Sequence, residues 1–301
     1  MNLERVEHPA ALPARAADGN KGTFGRVLVV GGSDEMIGAP VLAGMAALRS
    51  GAGLVQIALP QSVLPAALSI CPELIGMGLH GAGDTARLVE AAGKADAVVI
   101  GPGLGQSDDA RDRLLALVAI DKPMVIDADA LNLLAAMEHW PTSGFTAKAV
   151  LTPHPGEMRR LASLLPAEEA GAWIGRDHSA PIPSDEESRI QVALLAARTF
   201  GQIILLKGHR TVVADGRRLY LNTTGDSTLA KAGSGDILSG VLGCFLGQGM
   251  DRFEAATLAV WLHGKAGEIA GAIYGRRSAL GRDVVEGLGQ AIAERESTVI
   301  N

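Results

Sequence analysis

The chain has 301 residues, of which 48% are hydrophobic but only 3% aromatic, and its formal net charge is −6. That length can bury a large core, and the composition requires the core to be Val, Ile, Leu and Ala. The acidic balance, without a clustered basic patch, argues against a nucleic-acid surface, and no apolar run approaches the roughly 20 residues that span a bilayer.

Residues 1–20 are polar and Ala/Pro-rich and read as a lead-in lying on the surface. Arg26-Val-Leu-Val-Val-Gly-Gly32 follows as a buried strand ending in glycines, then a helical run from Ala39 to Ser50 whose small residues pack closely on a sheet. Leu54 to Leu59 is the next strand, stopped by Pro60, and Ala95-Asp-Ala-Val-Val-Ile-Gly101 runs into Gly-Pro-Gly-Leu-Gly. Helix is expected over 110–119 and 128–137, and strand over 123–127, 149–152 and 203–206. Thr211–Ala214 and Arg217–Asn222 flank Asp215-Gly216, a hairpin signal. From Gly235 to about Ala293 the pattern is helical. The stretch from Leu165 to Ser188, with Pro166, Pro181, Pro183 and several acids, reads as a surface excursion. Continuous apolar strands alternating with helices predict an α/β fold: a mainly parallel central sheet covered on both faces, with a late antiparallel hairpin at its edge.

Cys71 and Cys244 are far apart in apolar settings, as expected of buried thiols in a reducing compartment. The opening Met-Asn-Leu-Glu-Arg-Val-Glu-His lacks the basic-then-apolar order of a signal peptide. A soluble cytoplasmic protein is the expectation.

In a parallel sheet, ligands bind beyond the carboxyl ends of the strands, and the unusual residues of this chain fall there. They are Gly31 to Gly38, Gly101 to Gly105, Asp127 with Asp129, Thr152-Pro-His-Pro-Gly-Glu157, and Lys207-Gly-His-Arg-Thr211. Lys231-Ala-Gly-Ser-Gly-Asp236 adds a helix start where the amides of Ala232, Gly233, Ser234 and Gly235 can converge on an anion. Asp236 beside that corner suits a base that strips a proton from an attacking hydroxyl; an ordinary helix cap is the plainer alternative. Glu157 suits Mg²⁺ held through water, or else a cap on its own helix with His154 bonded locally. Lys207, His209 and Arg210 suit a polyphosphate tail, or a solvated basic turn. His263, on an apolar helix, reads as a packing or interface residue. Neither a Walker lysine nor Gly-x-Gly-x-x-Gly is present, which disfavours both a P-loop NTPase and a hydride-transferring Rossmann dehydrogenase.

Taken in order, Lys21 to Ser33, Val99 to Gly105, Asp127-Ala-Asp-Ala-Leu-Asn132, Leu151 to Glu157, Leu206-Lys-Gly-His209 and Ala232 to Asp236 resemble the ADP- or ATP-dependent NAD(P)H-hydrate dehydratases of the ribokinase-like superfamily. The resemblance covers roughly residues 21–290 and implies a ribokinase-like three-layer sandwich, with one domain over 21–295. It implies a hydro-lyase that uses ADP (or ATP) to phosphorylate the hydroxyl of hydrated NADH or NADPH. Phosphate is then eliminated to regenerate the dinucleotide, leaving AMP (or ADP). By the same resemblance Asp236 is the base, and Ala39, Gly103, Gly105, His154 and Asp236 face the hydrated dinucleotide. Lys207, Gly208, His209, Arg210, Thr211 and Gly235 face the adenine nucleotide, Glu157 is an outer-sphere partner of Mg²⁺, and the assembly is a homotetramer. From the few residues ahead of these motifs, the epimerase domain fused to some relatives is expected to be absent. Asp226-Ser-Thr-Leu-Ala-Lys231 stands where many relatives carry Asn-Pro-Gly-Met-Ala-Thr, so Lys231 is expected to bring a positive charge near the phosphate corner. Two competing readings stay open: a small-molecule (vitamin-precursor or sugar) kinase of the same superfamily, and a non-catalytic dinucleotide sensor, for which Asp236 would have no use.

Overall fold

A computed structural model describes residues 3–137, 144–174, 182 and 184–299. In chain order the elements are β1 (Glu4–Val6), β2 (Arg26–Val30), α1 (Gly38–Arg49), β3 (Leu54–Pro60), α2 (Leu64–Ile70), β4 (Ile75–Leu79), α3 (Thr85–Lys94), β5 (Ala97–Ile100) and α4 (Asp108–Val118). There follow β6 (Pro123–Ile126), α5 (Asp129–Ala135), β7 (Lys148–Leu151), α6 (Pro155–Leu161), α7 (Ala167–Ile174), α8 (Glu186–Phe200) and β8 (Ile203–Leu206). The chain ends with β9 (Val212–Ala214), β10 (Arg218–Leu221), α9 (Ser234–Gly247), α10 (Arg252–Tyr274) and α11 (Gly281–Val299).

The strands make one sheet in the order β1-β10-β9-β8-β7-β6-β5-β2-β3-β4. Only β9 runs against its neighbours, pairing antiparallel with β8 and β10; every other pairing is parallel. Alternate side chains of each strand go to opposite faces. Leu28, Val30, Val98 and Ile100 join a core under α3, α4, α5, α6 and α8. Val27, Val29, Ala97 and Val99 join a second core under α1, α9, α10 and α11. Because both faces are covered, the central strands are uninterrupted Val, Ile and Leu instead of alternating with polar residues. The three-layer expectation therefore holds, and the hairpin is present as β9 and β10.

Three local expectations need correcting. The hairpin is not the edge of the sheet, since β1 pairs outside β10 with Glu4, Arg5 and Val6 opposite Arg218, Leu219 and Tyr220. The lead-in is exposed, but it closes one side of the sheet. The 165–188 excursion is anchored, with Leu165, Ala170 and Ile182 buried and Asp185 Oδ1 accepting the Ser188 N–H at 2.9 Å to start α8; residues 175–181 and 183 lie outside the described residues.

Strand order reverses between β2 and β5, and a crevice opens at such a switch point beyond the carboxyl ends. Glycines line both of its sides. A Cβ on Gly31 would lie 2.2 Å from the Pro102 carbonyl oxygen, which accepts the Gly32 N–H at 2.9 Å. The loops after β2 and β5 thus touch backbone to backbone, which no larger residue at position 31 permits.

Candidate active site

One lip of the crevice is built by the loop after β5. Gly103 adopts φ +63, and a Cβ there would sit 3.2 Å from the Ala39 Cβ, so Gly103 and the first turn of α1 are neighbours. Gly105 adopts φ +75, and its N–H donates to Asp129 Oδ2 at 2.8 Å. Ala39, Gly103 and Gly105 are therefore brought together, with Asp129 fixing the loop.

Asp127 and Asp129 flank Ala128, which adopts φ 51, outside the region an alanine prefers. That turn sends the two carboxylates different ways. Asp129 goes to the lip; Asp127, with a side chain 2% exposed, goes inward to Lys207. Lys207 Nζ lies 2.7 Å from Asp127 Oδ1 and 3.7 Å from Glu157 Oε2. Asp127 Oδ2 accepts the Ser239 hydroxyl at 2.7 Å, tying α9 to the end of β6. Burial disfavours the Lys207 ammonium, but the two carboxylates outweigh it and hold its pKa above the ordinary lysine value. Glu157 is pushed up, by burial first, with Lys207 opposing.

Asp236 lies in the first turn of α9, partly buried beside this cluster. A methyl at Gly235 would stand 3.4 Å from Lys207 Nζ and 3.8 Å from Asp127 Oδ2, which measures how close the corner comes to the ion pair. Burial, and next the Asp127 charge, raise the Asp236 pKa to about 6, partly countered by Lys207. A carboxylate of that basicity is ionised near neutral pH and is a stronger proton acceptor than an exposed aspartate.

The corner itself keeps its donors. Gly233, the N-cap of α9, adopts φ +89. The Ser234 amide donates to the Lys231 carbonyl at 3.3 Å, while the amides of Ala232, Gly233 and Gly235 have no acceptor among the described residues. With the positive end of the α9 dipole behind them, they can hold an anion. The Ser234 hydroxyl sits 3.2 Å from Nε2 of His263, whose pKa burial lowers to about 4, so the ring is neutral at physiological pH. His263 is thus a packing residue, as its apolar setting implies, and it also supports the corner.

The remaining expected residues are placed less uniformly. His154 caps α6: its Nδ1 accepts the Gly156 N–H at 2.9 Å, and its own N–H donates to Glu157 Oε2 at 2.7 Å. That is a capping box, so the local-cap alternative for His154 and Glu157 is realised, although the Glu157 carboxylate also borders Lys207. Burial, then Lys207, lower the His154 pKa. After β8 only Lys207 turns inward. Gly208 adopts φ +150, the Thr211 hydroxyl donates to the Gly208 carbonyl at 3.0 Å, and His209 is exposed. Arg210 Nη1 pairs with Glu186 Oε2 at 2.6 Å, at the surface. Lys231 does not bring its charge to the corner, because its ammonium is spent on backbone carbonyls elsewhere.

Sequence reasoning missed Arg189. Buried in α8, it donates through Nη1 to the His209 carbonyl at 2.5 Å and through Nη2 to that of Leu206 at 3.3 Å, and so sets the course of the 207–211 loop. A lone arginine in an apolar helical run carries no signal of this. Ser239 was findable: it lies four residues after Gly235, on the same face of α9.

A family model described as NAD(P)H-hydrate dehydratase matches residues 27–286. The chain is 38% identical over 269 residues to the ADP-dependent (S)-NAD(P)H-hydrate dehydratase of Neisseria meningitidis serogroup B, covering 88% of this chain and 83% of that one. It is 39% identical over 298 residues to the bifunctional NAD(P)H-hydrate repair enzyme Nnr of Moorella thermoacetica, covering 96% of this chain and 53% of that protein. This chain thus spans about half the length of the bifunctional relatives it matches. Among solved structures, the ADP/ATP-dependent NAD(P)H-hydrate dehydratase from Bacillus subtilis, co-crystallized with ATP/Mg²⁺, matches over 95% of each chain with a TM-score of 0.77 and 29% identity. Hydroxyethylthiazole kinase from Pyrococcus horikoshii OT3, at 20% identity and a TM-score of 0.59, shares the fold alone. With a family model spanning most of its length and these relatives beside it, the chain belongs to the NAD(P)H-hydrate dehydratase family.

Proposed function

We propose that this chain is an ADP- or ATP-dependent (S)-NAD(P)H-hydrate dehydratase, which returns hydrated NADH or NADPH to the intact dinucleotide. The observation that carries the reading is a raised carboxylate, Asp236, next to amides with no acceptor among the described residues. Asp236 takes the proton from the hydroxyl of the hydrated ring. That oxygen attacks the terminal phosphorus of the nucleotide, and the bond to the bridging oxygen breaks, releasing AMP from ADP or ADP from ATP. The amides of Ala232, Gly233 and Gly235 stabilise the charge spread over the phosphoryl oxygens in transfer, with Lys207 beside them. Phosphate then leaves with its bonding electrons as the ring loses a proton, which restores the double bond.

The hydrated dinucleotide lies against Ala39, Gly103, Gly105 and His154, and the adenine nucleotide along Lys207 to Thr211 and Gly235. Mg²⁺ suits this donor set as an ion held by phosphates and water. Among the described residues no three His, Cys, Asp or Glu side chains gather as a metal site, while Glu157 Oε1 has only the His154 ring beside it, at 3.3 Å, and remains able to accept from metal-bound water. Bound there, the ion would neutralise phosphate charge. A cytoplasmic homotetramer completes the proposal; exposed Ile273, Tyr274 and Leu280 at the end of α10 and the following turn offer a surface that a subunit contact would cover.

The test incubates hydrated NADH with ADP, with ATP and with neither, following the absorbance of reduced nicotinamide. Recovery that requires a nucleotide and yields AMP or ADP with free phosphate supports the reading. Accumulation of a stable phosphorylated product would make the protein a kinase, and binding without turnover would make it a sensor.

A further inference from the structure

Lys231 immediately precedes the corner, yet its charge is turned away from it. Its Nζ donates to the carbonyl oxygens of Arg277 and Ala279, each at 2.6 Å. Both carbonyls belong to the turn between α10 and α11, and no carboxylate pairs with this ammonium among the described residues. At the other end of the residue, the Lys231 carbonyl accepts the Ser234 N–H. One residue therefore closes the first turn of the corner and grips a neighbouring turn.

The segment leading to the corner is fastened at other points as well. Arg276 Nε lies 2.7 Å from Asp226 Oδ2, and the Gly225 N–H donates to Glu268 Oε1 at 2.8 Å. Residues 225–231 thus form a strap held along α10, and Lys231 is the fastening nearest the amides. Fastening matters here because the corner is rich in glycine, with Gly233 at φ +89, and its own backbone does little to fix where the amides point. Amides that stabilise a transferred phosphoryl group act only if they are already aimed at it.

We propose that Lys231 is a positioning residue for the anion corner: its ammonium, bridging two carbonyls of the α10–α11 turn, holds that turn and the corner in register without touching the phosphoryl group. The inference rests on the corner being the phosphoryl site, but the order of the corner can be measured without turnover.

The experiment compares wild type with Lys231→Met, which keeps the aliphatic stem and removes the donors. Expected are native circular dichroism, a kcat for NADH recovery lowered about tenfold, and a KM for hydrated NADH within about twofold of wild type. Ammonium chloride at millimolar concentration, whose cation can occupy the vacated carbonyls, restores most of the lost kcat; sodium chloride does not, and wild type responds to neither. Hydrogen–deuterium exchange of the peptide spanning 231–240 is faster in the variant and slows again with ammonium. Should Lys231→Met fail to fold, Lys231→Leu, which likewise has no donor, carries the same readouts. Wild-type kcat, KM and exchange in the variant would overturn the proposal, and so would a loss that ammonium leaves untouched. A wild type that never regenerates NADH would sink the proposed reaction instead, leaving the exchange comparison to decide on Lys231.

Discussion

The corner before α9 and the loop after β8 are both phosphate-binding candidates by sequence, and the structure equips them in opposite ways. In the corner the donors are backbone amides without acceptors among the described residues, beside a carboxylate raised to about 6. In the loop the cations are largely engaged already: Lys207 with Asp127 and Glu157, and Arg210 with Glu186. The difference is one of reach. A long cationic side chain finds whatever acid lies nearby, whereas the first amides of a helix have no internal partner to find. A glycine-rich helix start is therefore better evidence for an anion site than a run of basic residues.

Substitution at the corner has the largest expected effect. Asp236→Asn should lower turnover by about 10²–10⁴, the usual range for a positioned base, while nucleotide affinity measured by calorimetry changes little. The same variant should be more stable. A carboxyl raised from 3.8 to about 6 binds its proton more tightly folded than unfolded, so the stability it contributes is full below its ordinary pKa and is lost as pH rises through about 6. Near neutral pH the Asn variant should gain on the order of 2 kcal/mol in chemical denaturation, and the gain should vanish in acid.

Next comes the ion pair joining the two regions. Lys207→Met leaves Asp127 and Glu157 buried without their cation and should cost about 3–5 kcal/mol. Adding Asp127→Asn should return part of that loss; urea denaturation of the single and double variants measures it. The loop proper is expected to respond least. Arg189→Met frees the carbonyls of Leu206 and His209, and the KM for the adenine nucleotide should rise roughly threefold with kcat little changed. Arg210→Ala, which removes a surface pair and one side chain of the proposed nucleotide-binding loop, should raise that KM by no more than Arg189→Met does and alter kcat less than about twofold. A large kcat effect at Arg210 would reverse the contrast between loop and corner.

Much of this was legible in the chain because the determinants are local. Val27 to Val30 and Ala97 to Ile100 are continuous apolar runs ending in glycine, which marks both the strands and the crevice beyond them. The pattern fails over 61–94, where β4 carries Gly76 and Gly78 and leaves Ile75 exposed, and over β1, which is three residues long with only Val6 partly buried. Side-chain direction was the harder matter. Nothing in Asp127-Ala-Asp129 says that the two acids diverge; that follows from the φ of 51 at Ala128, a conformation the surrounding fold imposes. Lys231 is the same case, since the carbonyls it grips lie more than forty residues later.

The most direct test of the central claim is the pH dependence of kcat/KM for NADH recovery by wild type. If the Asp236 carboxylate removes the substrate proton, the rate should hold above neutrality and fall in inverse proportion to proton concentration below an apparent pKa of about 6. A profile that stays flat well below that value, in an enzyme still folded, would contradict it.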